Sequence, residues 1–256
     1  MKKMFLILLI IPLVLSSCRG KSPTEKALRE PLEGAHIDRI IITSTRNAAK
    51  YTIVDSKSIS RIKSTIEKGR DAKEDMKLEP DFTFQFYDGR KEIMFFNYIA
   101  GVNDKDIVNL IDDKKTLYHI DTSIENEFLK RIMRKTTSKN VPEYYISLLE
   151  LIIEKTNVAE NSTVVVDITK DYTVTKGILS VEQKRILDSV DKRGIKVKFP
   201  KEVETYNYYI KINTTSYTDV SSKTTVTVKD KTGSETKYNL EGKYDGKKWS
   251  YFIRFK

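Results

Sequence analysis

Phe82-Thr83-Phe84-Gln85-Phe86-Tyr87-Asp88-Gly89-Arg90-Lys91-Glu92-Ile93-Met94-Phe95-Phe96-Asn97-Tyr98 is the stretch that decides the fold class. Phe82, Phe84 and Phe86 alternate with Thr83 and Gln85, so a strand would put the three rings on one face. Asp88-Gly89 accepts the left-handed backbone of a tight hairpin turn. On the return strand Met94, Phe96 and Tyr98 face away from Ile93, Phe95 and Asn97. This is an antiparallel hairpin with an aromatic face that something must cover.

Helices on either side can do so. Asp55 or Ser58 caps a helix running to about Lys68, with Ile59, Ile62 and Ile66 on one face and Gly69 at its end. A second helix, from about Ile124 to Arg134, stripes Ile124, Phe128, Leu129 and Ile132. Short strands are expected at Ile37–Ile42, Tyr51–Val54, Ile107–Leu110 and Thr116–His119.

The second half repeats the class but not the sequence. Pro142 opens a helix that buries Tyr145, Leu148, Leu149, Ile152 and Ile153. A valine-rich strand spans Ser162 to Thr169. Ser180 and Gln183 read as a capping box for a helix that Gly194 ends. Strands then follow at Tyr206–Ile212, Thr225–Lys229, Lys237–Tyr244 and from Trp249, where Trp249, Tyr251, Ile253 and Phe255 share a face. The expectation is an α+β chain of two small domains, each an antiparallel sheet with one or two packed helices. In the second, a curved sheet could wrap a helix, as in cystatin-like or NTF2-like rolls.

The N-terminus carries an address. Lys2 and Lys3 precede an apolar run from Met4 to Leu15, too short to span a bilayer and suited to a secretory leader. Leu15, Ser16, Ser17 and Cys18 resemble the bacterial lipobox: an aliphatic residue and two small ones before cysteine. The resemblance implies signal-peptidase cleavage before Cys18 and a diacylglyceryl group on its thiol. That would anchor the protein at the extracytoplasmic face of the cell membrane, where two acyl chains hold stably. Cys18 is the sole cysteine, so lipidation would leave neither a disulfide nor a nucleophilic thiol. The expected division is leader 1–17, lipidated cysteine and tether 18–36, first domain 37–136, linker 137–141 and second domain 142–256.

The formal charge is +10, and loss of Lys2 and Lys3 leaves +8. Residues 37–136 carry 19 basic and 17 acidic side chains, and residues 142–256 carry 20 and 16. No run of five or more like charges appears, which suits a solvated surface near anionic lipid or wall polymer better than a nucleic-acid footprint. Abundant Lys, Ile, Asn and Tyr with little Ala and Gly suit the AT-rich genome of a Gram-positive Firmicute.

Glu79-Pro80-Asp81-Phe82, leading into a strand, and Leu117-Tyr118-His119-Ile120-Asp121, before the last helix, make the block from Ile37 to about Arg134 resemble the YhfM-like domain of Bacillus-type lipoproteins. The resemblance implies no catalytic residues. Residues 142–256 carry no motif of a named family.

No catalytic set stands out. His36 and His119 have no metal-ligand spacing, and no phosphate-loop pattern occurs. His119, Asp121 and Ser123 can be drawn as a triad but lack any sign that the base is oriented between its partners. No cofactor is expected. The aromatic residues of the C-terminal sheet are the candidate contact surface: Tyr206, Tyr208, Tyr209, Trp249 and Tyr251. The expected function is a non-enzymatic binding module at the cell envelope, with a protein or cell-wall partner and no nucleic acid. The alternatives are a cell-envelope hydrolase and a transporter's solute-binding lipoprotein.

Overall fold

A computed structural model describes residues 28–132, 140–191, 194–200 and 205–254. Leu15, Ser16, Ser17 and Cys18 lie outside them, as do Phe255 and most of the expected linker.

The first half contains β1 (Arg39–Ser44), β2 (Lys50–Ile53), α1 (Ser56–Glu67), β3 (Arg70–Asp71), β4 (Phe82–Asp88), β5 (Lys91–Tyr98), β6 (Leu110–Asp112), β7 (Leu117–His119) and α2 (Glu125–Ile132). The strands form an antiparallel sheet in the order β2-β1-β4-β5-β6-β7-β3. The hairpin of β4 and β5 sits centrally, and Phe82, Phe84, Phe86, Phe96 and Tyr98 are fully buried. Phe128 of α2 meets Phe82 and Phe84 edge-on, with ring centroids 5.1 and 5.2 Å away. The Asp55 carboxylate accepts from the Ser58 N–H at 2.8 Å and starts α1, which buries Ile59, Ile62 and Ile66.

Two expectations shift here. The strand placed at Ile107–Leu110 begins instead at Leu110. Ahead of it, Asn109 spends its amide on the backbone of Ile120, accepting from N–H and donating to C=O, each at 2.8 Å. The tether drawn through residue 36 is shorter than expected: Leu28 and Leu32 are 1 % and 0 % exposed within the first core. Arg29 Nε donates to the Glu67 carbonyl at the end of α1 at 3.2 Å. Both leucines sit in the core, and Gly69 lets Leu28 approach, since a Cβ there would collide with it.

The second half contains α3 (Val141–Lys155), β8 (Thr163–Asp167), α4 (Tyr172–Thr175), α5 (Ser180–Val190), β9 (Lys196–Lys198), β10 (Tyr208–Tyr217), β11 (Ser221–Asp230), β12 (Glu235–Tyr244) and β13 (Trp249–Arg254). The sheet order is β13-β12-β11-β10-β8-β9. Strands β10 to β13 form the expected antiparallel run, but β8 pairs in parallel with both β9 and β10. Parallel neighbours need a crossover, which α4 and α5 supply between β8 and β9. The second sheet is therefore antiparallel-rich with a parallel seam at β8, and each half is α+β, as expected.

Inside the second core, Asp171 is fully buried yet satisfied. It accepts from the Tyr145 hydroxyl (2.7 Å) and from the Thr214 N–H and hydroxyl (2.8 and 2.9 Å). Tyr144 bonds Thr214 and Thr224 beside it, at 2.8 and 2.5 Å.

The two halves meet at Asp81, which is 1 % exposed. Its carboxylate accepts from Arg46 (3.0 and 3.2 Å), from the N–H and hydroxyl of Ser180 (2.9 and 3.1 Å), and from the Ala100 N–H (3.1 Å). Burial pushes the carboxyl above its usual range, against the pull of Arg46 and these donors. The Ser180 hydroxyl also donates to the Glu79 carbonyl at 2.5 Å. This corrects the expected capping box: Leu179 is the cap of α5, and its N–H donates to Glu182 at 2.7 Å. Ser180 is the first helical residue, and its side chain is committed to the junction.

Candidate functional site

Period-two alternation sorts the second sheet into two faces. Even-numbered Ile210, Ile212, Val226, Val228 and Leu240, with Trp249 on β13, point into the core beneath α3. The intervening residues form an open face. Lys211 lies opposite Thr227, and Thr227 opposite Lys237; Tyr209 lies opposite Lys229, and Lys229 opposite Glu235.

The candidate aromatic surface divides along this line. Trp249 is buried, and Tyr251 packs beneath α3 and donates its hydroxyl to the Tyr144 carbonyl at 2.7 Å. Tyr208 also packs against the core. These three are structural, because the face they share with Ile210 and Ile253 is the one that α3 covers. Tyr209 alone projects from β10 on the open side, with the Tyr206 ring 5.4 Å away. The Tyr209 hydroxyl donates to Asp167 at 2.7 Å. Burial and this bond to a carboxylate push the Tyr209 phenol up to about 12. Burial pushes Asp167 up too, but donors from Thr169 and Tyr209 and the Lys211 charge outweigh it and hold that carboxyl low.

Charge is the stronger signal. The open face carries Lys196, Lys198, Lys211, Lys223, Lys229, Lys237, Lys243 and Arg254, against Asp167, Glu235 and Glu241. That is eight cations to three carboxylates. The described residues of that half hold 16 basic and 14 acidic side chains, so those off this face number 8 and 11. A charge that is dispersed along the chain is thus gathered on one face, because alternation in four successive strands keeps the same phase. Glu241 engages Arg254 at 2.7 Å and Lys223 at 3.9 Å. Lys211, Lys229 and Lys237 surround Thr227 near the middle of the sheet. Phe252, 59 % exposed, is an apolar residue on the same face.

The triad drawn from His119, Asp121 and Ser123 does not assemble. All three line one cleft in the first half. However, His119 Nδ1 lies 2.7 Å from the Ile107 carbonyl, and Asp121 accepts from the Ser123 N–H at 2.8 Å. His119 is thus oriented by a backbone carbonyl, and Asp121 by Ser123, so the imidazole is not held between the other two. Among the described residues, no three His, Cys, Asp or Glu side chains converge as metal ligands, and no helix is long and apolar enough to cross a membrane.

No curated protein and no solved structure matches the chain. Residues 34–139, which contain the whole of the first sheet and its two helices, match the family model described as YhfM protein, in line with the resemblance carried by Glu79–Phe82 and Leu117–Asp121.

Proposed function

We propose that the protein is a lipid-anchored, non-enzymatic binding module on the extracytoplasmic face of the cell membrane. Its ligand is an anionic polymer of the cell envelope, held against the open face of the second sheet. The supporting observation is the segregation of eight cations against three carboxylates on that face, while the other described residues of the same half carry 8 basic and 11 acidic side chains. Neighbouring strands stand about 4.8 Å apart, and alternate residues on one strand about 6.7 Å apart. Lysines set on such a lattice suit acid groups that repeat along a chain, where many weak contacts add up. The anchor rests on the reading of Leu15 to Cys18. Leu28 lies in the first core, ten residues after Cys18, so even a fully extended connection holds the fold within about 35 Å of the lipid.

Polyphosphate is the probe. The full chain should bind it with an affinity that falls steeply as salt rises, through release of condensed counterions. Reversing Lys211, Lys229 and Lys237 together to Glu should weaken it at least about tenfold. Equal binding by that variant would refute the assignment. Binding to anionic vesicles or single-stranded DNA without binding to polyphosphate would replace the polymer with another occupant. For the anchor, a Cys18→Ser variant should lose metabolic lipid labelling; equal labelling would exclude it.

A further inference from the structure

The cleft that fails as a triad has another use. It is open, about 560 Å³ in volume, and lies at the edge of the first sheet where β3 meets β7. Antiparallel pairing sets Arg70 directly opposite His119, so the two side chains share a face. Lys68, just past the end of α1, and Lys105, in the loop between β5 and β6, complete a lining of three exposed cations around one imidazole. Asp121 is the one carboxylate in the lining. Hydrogen bonds from Ser123 hold it low, against burial and with help from His119. Asp106, close by, is paired with Lys73 at 3.0 Å and also feels the charges of Lys105 and Arg70.

His119 is the informative member. Its side chain is buried, the residue being only 5 % exposed. With the Ile107 carbonyl as partner, Nδ1 must carry the proton and donate. Nε2 then has no hydrogen-bond partner among the described residues, although the ring lines a polar cleft. A buried ring whose Nδ1 is fixed as donor, and whose free Nε2 can take up a proton and donate it beside three cations, suits a recessed anion site.

We infer that this cleft binds a small phosphate-bearing anion, either inorganic phosphate or a phosphomonoester, with Arg70, Lys105 and Lys68 supplying charge and His119, taking a proton from solvent at Nε2 on binding, donating it to a phosphate oxygen. The site lies in the first half and does not depend on the polymer face of the second sheet.

The two histidines make the test selective, because His36, with its side chain 84 % exposed, is an internal reference. Imidazole resonances of the full chain are followed by NMR during titration with inorganic phosphate, with glycerol phosphate as the monoester and chloride as the ionic-strength control. The His119 signals should move and saturate with both phosphate compounds, while His36 moves no more than it does with chloride. An Arg70→Ala, Lys105→Ala double variant, altered only at exposed positions, should weaken the response about tenfold, equivalent to about 1.4 kcal/mol. His119 signals that ignore phosphate, that move equally in chloride, or that respond unchanged in the double variant would overturn the site. A response to polyphosphate alone would assign the cleft to the polymer and overturn the small-anion reading.

Discussion

Replacing Asp81 with Ala should separate the two halves of the molecule. Its carboxylate collects donors from three places: Arg46 in the turn after β1, Ala100 after β5, and Ser180 at the start of α5. The alanine orphans two buried backbone N–H groups, those of Ala100 and Ser180, each costing about 1–3 kcal/mol. Arg46 has a side chain 23 % exposed and can turn to water, so its share is smaller. The total is about 3–5 kcal/mol, the range for removing one partner of a buried pair. Urea unfolding can be followed by two signals. Fluorescence of Trp249, the single tryptophan, reports the second core, and far-UV circular dichroism reports both. The wild type should unfold with coincident curves, whereas the variant should unfold at lower urea with the two curves apart. A loss below about 1 kcal/mol, typical of a solvent-exposed ion pair, with curves still coincident, would refute the account of Asp81 as the node that joins the halves.

Leu32→Ala should cost about 2–5 kcal/mol, measured by the same unfolding curves, because the leucine is fully buried; a near-zero cost would return it to the tether. Tyr144→Phe should lose about 1–3 kcal/mol by leaving Thr214 and Thr224 short of a partner, and the double variant with Thr224→Val should recover part of it. Stability should be greater at mildly acidic pH than at neutral. Burial first, against hydrogen bonds, raises Asp81, Glu125, Asp171 and Glu182. A raised carboxyl binds its proton more tightly when folded, so its contribution is complete below the unfolded value near pH 4 and is lost as pH rises through the folded value. Asp55, Asp75, Asp106, Asp121, Asp167, Asp230 and Asp245 are held low and act oppositely, losing their contribution only as pH falls below the normal carboxylate range. They lie at the surface, where solvent screens them, so each adds little. Unfolding free energy that rises steadily from about pH 5 to pH 8 would contradict this sign.

The elements that were legible in advance share a physical cause. The β4–β5 hairpin, α1 and α3 each bury one face, and burial imposes its period on the residues. Trp249, Tyr251 and Ile253 do share a face, as their spacing implies, but periodicity alone does not say whether that face is covered. Ile253 beside them is the signal that it is, which leaves Tyr209 and Tyr206 as the candidate aromatics on the open side. The basic face needed the phase of four strands at once. Lys211, Lys229 and Lys237 look scattered until Ile210, Val228 and Leu240 establish which positions point inward. Ser180 looked like a cap because its partner Asp81 is 99 positions away, beyond any local pattern. Leu28 and Leu32 lie among prolines and glycines and make too short a stripe to read as a helix.

The parallel seam between β8 and β10 also bears on the order of assembly. Strands β10 to β13 are joined by short turns, and each can pair with its predecessor soon after collapse. Strand β8 must find β10 across some forty residues that include two helices. Closing that loop costs entropy before any ladder bond repays it. The C-terminal meander should therefore form early, with its charged face already set, and β8 should add last, bringing β9, α5 and the Ser180 end of the junction with it. On this account the charged face and the joint between the halves should be products of different stages of folding.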